Sequence, residues 1–172
     1  MTPPLSQGAF STQALDRLEQ QVGEIGDLQS KLILLVGNSG KTRLLRALAQ
    51  RLNVTPINVS LELGHRLAAM PVSERSFSAH QLLREITCNG AHGDIPLLLD
   101  NLEVLFEPSL KINPLDLIKR LAHSRRVVAV WPGEIRGNRL VYASIGHPEH
   151  RDYSLGDAIV FDMAQGTPGT RT

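Results

Sequence analysis

Five consecutive apolar residues, Leu32-Ile33-Leu34-Leu35-Val36, run directly into Gly37-Asn38-Ser39-Gly40-Lys41-Thr42. An unbroken apolar run that stops at a glycine marks a strand buried on both faces, here predicted over Lys31–Val36. Lys41–Leu52 then reads as a helix, with Leu44, Leu45, Leu48 and Leu52 on one stripe and basic or amide side chains opposite. A strand feeding a tight turn and then a helix aims the helix's unpaired N–H groups and positive dipole end at the turn. Glycines let the turn curl so that further amides point inward at an anion. Gly37, Asn38, Ser39, Gly40, Lys41, Thr42 and Arg43 are therefore the candidate nucleotide-binding residues. In this reading Lys41 bridges the β- and γ-phosphates of ATP (or another nucleoside triphosphate), and the Thr42 hydroxyl holds Mg²⁺. Gly37 and Gly40 enclose two residues where the usual phosphate-binding loop, the Walker A motif, has four. The shorter turn offers fewer amides, and the competing reading is an ordinary strand-to-helix turn in which Lys41 and Thr42 are incidental.

A magnesium-bound triphosphate also needs a carboxylate at the end of a neighbouring buried strand. Ile95–Leu99 reads as such a strand and ends at Asp100, a second candidate metal ligand; the alternative is an aspartate that caps the next element. Hydrolysing P-loop proteins often carry a glutamate directly after this aspartate. Here that residue is Asn101, which can orient a water but cannot take its proton. Glu103 is the nearest carboxylate, so Lys41, Asp100 and Glu103 form the candidate catalytic set, with binding expected ahead of hydrolysis. Where AAA+-type ATPases place a polar sensor, the chain reads Val130-Trp131-Pro132-Gly133. Trp131 either packs near the site or is a core residue. Arg120, Arg125 and Arg126 are candidate trans-acting arginines, or simply solvated ones.

The remaining elements alternate in period. Helices are predicted over Ser11–Val22, over Ser78–Thr87 with a stop at Asn89–Gly90, and over Pro114–Ala122 with Asn113 as cap. Strands are predicted over Thr55–Leu61, Val127–Trp131, Arg139–Ser144 and Asp157–Phe161. Buried strands separated by amphipathic helices define an α/β three-layer αβα fold with a mostly parallel sheet. At 172 residues this is one domain. It is placed at 11–163 between polar tails at 1–10 and 164–172.

A formal net charge of +1 argues against a strong nonspecific grip on nucleic acid, although Arg125 and Arg126 could form a local basic patch. The single cysteine, Cys88, excludes an internal disulfide. No apolar run is long enough for a bilayer and no leader pattern opens the chain, so a cytoplasmic protein without a membrane partner is expected. His147 and His150 have metal-site spacing, with a polar loop as the alternative.

Several strings resemble the BrxF family, the small P-loop proteins of type 3 BREX bacteriophage-defence systems. They are Lys31–Gly37, Gly40–Leu45, Ile57–Leu63, Leu97–Phe106, Val127–Gly133 and Gly146–Tyr153. The resemblance spans about residues 12–162, and its Trp-Pro-Gly and Gly-His-Pro-Glu strings are the most distinctive. It implies an AAA+-like P-loop NTPase core without a full lid domain, carried onto Lys41, Thr42 and Asp100. It also implies an antiviral role beside other BREX components, contact with DNA directly or through partners, and a homo-oligomer. Two other classes remain open. One is a non-catalytic scaffold with a degenerate P-loop. The other is a small-molecule kinase, for which Glu62, Arg136 and Arg139 would serve.

Overall fold

The computed structural model describes residues 12–28, 31–37, 39–88, 94–143 and 151–163. The predicted tails, the Asn89–Gly90 helix stop, Asn38 and the His147/His150 pair lie outside them. The elements are α1 (Thr12–Glu24), β1 (Leu32–Val36), α2 (Lys41–Leu52), β2 (Ile57–Asn58), α3 (Val59–Ala68), α4 (Val72–Cys88), β3 (Leu97–Asp100), α5 (Pro114–Leu121), β4 (Val127–Val130), β5 (Glu134–Arg136), β6 (Arg139–Tyr142), β7 (Arg151–Ser154) and β8 (Ile159–Asp162). Short 3-10 turns lie at Ile25–Asp27, Leu102–Phe106 and Pro108–Leu110.

Five strands form one sheet in the order β2-β3-β4-β1-β8, every neighbouring pair parallel. The register places Leu35 beside Val130 on one side and Phe161 on the other. Period-two alternation sends Leu32, Leu34 and Val36 to one face, where they pack with residues of α3, α4 and α5. Ile33 and Leu35 face the opposite side, against α1 and α2. All five residues of β1 are fully buried. Each such side chain contributes about 1.5–3 kcal/mol of burial free energy, which fixes β1 as an interior strand of the sheet. The α/β class and the parallel sheet agree with the sequence reading, and helices on both faces fit a three-layer arrangement.

Two expectations need correction, and the strand predicted at Arg139–Ser144 is present but belongs to a second sheet. Strand β2 has only Ile57 and Asn58, and α3 begins at Val59 inside the predicted strand Thr55–Leu61. The Asn58 side chain accepts from the Leu61 amide at 3.0 Å, so it caps a helix whose buried face is Val59, Leu63 and Leu67. Helix α4 starts at Val72, ahead of the predicted Ser78, because Pro71 offers its carbonyl to Glu74 N–H at 3.0 Å and begins the turn. Arg139–Tyr142 is the middle strand of a separate antiparallel sheet, β5-β6-β7. That sheet leans on the core through Trp131, Phe106, Tyr142 and Tyr153.

Candidate functional site

The carboxyl edge of a parallel sheet is where open α/β folds place ligands, and three strand ends converge there. After β1, Gly37 takes φ 132° and Gly40 takes the left-handed conformation at φ 86°. A Cβ on Gly37 would stand 2.8 Å from the Met163 Cβ, so both dihedral and space require glycine. Gly40 is the N-cap of α2 and has no side chain with which to cap it; the first turn also lacks an acidic residue. The positive end of α2 is therefore left uncompensated by its own sequence.

Because β4 lies between β1 and β3, the first turn of α2 reaches across it. Lys41 Nζ donates to the Trp131 carbonyl at the end of β4, at 2.6 Å. The Thr42 hydroxyl donates to Asp100 Oδ1 at the end of β3, at 3.2 Å. The same carboxylate oxygen accepts from the Asn101 N–H at 2.9 Å, and Asp100 is only 7% exposed. Burial pushes the Lys41 ammonium below its ordinary value; Glu103 and then Asp100 act in the opposite sense through their charges. Glu103 is exposed in the 3-10 turn Leu102–Phe106 that follows β3.

The structure brings Gly37, Gly40, Lys41, Thr42 and Asp100 together, with Glu103 facing them electrostatically. Ser39 is exposed beside them, and Arg43 is exposed on α2. Asn101 does not continue the strand. It adopts φ 53° and turns the chain into Leu102–Phe106. Trp131 is a core residue, fully buried, with its indole N–H donating to the Val141 carbonyl at 3.4 Å. Only its backbone carbonyl belongs to the site, a role that side-chain identity does not reveal.

The guanidiniums of Arg125 and Arg126, both partly exposed, are held by backbone carbonyls. Arg125 donates to Thr87 at 2.8 Å and to Ile95 at 3.1 Å. Arg126 donates to Val22 at 3.1 Å and to Asp94. They precede β4 and so lie at the sheet's amino edge, opposite Trp131. Arg125→Ala is expected to cost about 1.5–3 kcal/mol in chemical denaturation, the range for hydrogen bonds from a charged donor, while leaving any ligand affinity unchanged. Arg120 is exposed on α5. Of the kinase candidates, Arg136 pairs with Glu134 at 3.5 Å and Arg139 with Asp152 at 2.5 Å, while Glu62 sits in the first turn of α3. Among the described residues no helix is long and apolar enough to cross a membrane, and no group of three or more His, Cys, Asp or Glu could hold a metal.

No family model, no curated protein and no solved structure matches this chain.

Proposed function

We propose that the chain binds ATP, or another nucleoside triphosphate, with Mg²⁺ between the Gly37–Thr42 turn and Asp100, as a P-loop NTPase with an AAA+-like core. One observation carries this reading. Consecutive residues at an uncapped helix start, Lys41 and Thr42, reach the ends of two different strands, one offering a carbonyl and the other a buried carboxylate.

The donor set fits the metal. Thr42 and Asp100 present hard oxygens 3.2 Å apart. Hard oxygen donors of this kind are the type that Mg²⁺ takes from proteins. Thr42 and Asp100 would hold the ion, which supplies charge neutralisation at the β- and γ-phosphates. Lys41 would leave the Trp131 carbonyl for the phosphate oxygens, and the α2 amides would accept the remaining charge. For slow or partner-stimulated hydrolysis, Glu103 takes a proton from water as the water oxygen bonds the γ-phosphorus. The bond from that phosphorus to the bridging oxygen breaks, and ADP leaves.

The strings resembling BrxF support a nucleotide-dependent switch or assembly component of a BREX-type phage-defence system. Its partners would be other BREX components, a second copy of the chain, and DNA directly or through those partners. The short turn and Asn101 support a second reading, a non-catalytic scaffold.

Calorimetric titration with ATP, in magnesium and then in EDTA, separates the two. Binding is expected to be tighter with magnesium, and Asp100→Asn should erase about 10–100-fold of that advantage. A wild-type chain that takes up no ATP or ADP in either buffer would leave the scaffold.

A further inference from the structure

Where Glu103 stands depends on how the chain turns after Asp100, and one side chain from another element governs that turn. Asn101 is left-handed, at φ 53° and ψ 64°, a region that asparagine tolerates better than most non-glycine residues, and hydrogen bonds from another element fix it there. Ser60, in the first turn of α3, binds it twice. The Ser60 N–H donates to the Asn101 carbonyl at 2.9 Å, and the Ser60 hydroxyl donates to the same oxygen at 2.6 Å. That hydroxyl also accepts from the Val104 N–H at 3.2 Å. It therefore ties the residue before the 3-10 turn Leu102–Phe106 to one inside it, and both its donor and its acceptor capacity are used. Leu102, Leu105 and Phe106 anchor the turn in the core while Glu103 remains exposed.

We propose that Ser60 is a positioning residue, whose hydroxyl fixes the turn after Asp100 so that Glu103, three residues on, is the carboxylate presented to Lys41. Its catalytic meaning rests on the nucleotide reading above; its structural content does not. A glutamate directly after Asp100 would occupy a left-handed position whose carbonyl is bound to α3. Moving the carboxylate to position 103 places it beyond the reversal.

The test uses the full chain without nucleotide. Zero-length carbodiimide coupling joins the Lys41 amine to nearby carboxylates, and mass spectrometry of the digest gives the Lys41–Glu103 product relative to Lys41–Asp100. Ser60→Ala is expected to lower that ratio about fivefold, the factor one net hydrogen bond supports, and Ser60→Thr to restore it. Ser60→Cys, close in size with a weak donor, should fall between them and serves if the alanine variant does not fold. Glu103→Gln must abolish the product. An unchanged ratio in folded Ser60→Ala or Ser60→Cys, or no Lys41–Glu103 product in wild type, overturns the proposal. ATP titration of the same samples separates the two ideas. Absent binding with the expected ratios would sink the nucleotide reading and keep Ser60's role.

Discussion

Lys41→Ala is expected to lower affinity for magnesium-bound ATP about 100-fold, read by calorimetry, while moving the unfolding midpoint of the free protein little. Charged hydrogen bonds contribute about 1.5–3 kcal/mol each, so losing the ammonium from a triphosphate removes roughly two orders of magnitude. In the free protein two effects oppose. The Trp131 carbonyl loses a donor at 2.6 Å, but a partly buried ammonium is also removed. The sign of the pH dependence follows from burial. The folded chain holds the Lys41 proton less tightly than the unfolded one, whose value is the ordinary 10.5. Between the lowered folded value and 10.5 the unfolded state carries more protons, so this residue's contribution to stability rises with pH. Below that window the penalty for a buried charge is complete. Denaturation of Lys41→Ala across alkaline pH should lack that rise. Unchanged ATP affinity in the variant would remove Lys41 from the site.

Gly133→Ala is expected to destabilise the fold by about 3 kcal/mol or more, at the upper end for overpacking, and to disturb the indole of Trp131. A Cβ there would stand 1.7 Å from the Val141 carbonyl oxygen and 2.7 Å from its carbon. Both are backbone atoms of the strand that accepts the Trp131 indole N–H. Relief requires β6 to move away from the Trp131–Gly133 segment that follows β4, straining the edge-to-face contact of Trp131 with Tyr153, whose ring centroids are 5.8 Å apart. Trp131 is the sole tryptophan, so its emission reports this packing without interference. Gly64→Ala is the control. Nothing lies within 4 Å of its Cβ position on α3, and it should stabilise by a few tenths to about 1 kcal/mol. Equal stability of Gly133→Ala and wild type would show that the Gly133 turn and β6 can separate freely.

The sequence made β1, α2, β3 and β4 legible because strands buried on both faces leave unbroken apolar runs, and α2 follows with clear helical spacing. It misled at Ile57, Val59 and Leu61, whose alternation imitates a strand. There a helix cap outweighs periodicity, and Leu61 ends 52% exposed. Asn58 was the available signal. The small sheet was half seen, since β5 and β7 are short and mostly exposed. Of the site, Lys41, Thr42 and Asp100 could be read from spacing. The direction of Glu103 could not, because it depends on one backbone dihedral at Asn101, although asparagine is the residue type that tolerates that conformation. The carbonyl partners of Arg125 and Arg126 are set by tertiary packing and leave no local trace.

The pairing of β1 has a consequence for how this chain acquires its shape. Both neighbours of β1 come from far along the polypeptide, Val130 beside Leu35 and Val160 beside Leu34. The wall behind Gly37 is Met163, whose amide donates to Val36 at 2.9 Å. Pairings between such distant segments close large loops before they return any stabilisation, which slows folding. On the ribosome, the glycine turn near the start of the chain gains its back wall only once residue 163 has emerged.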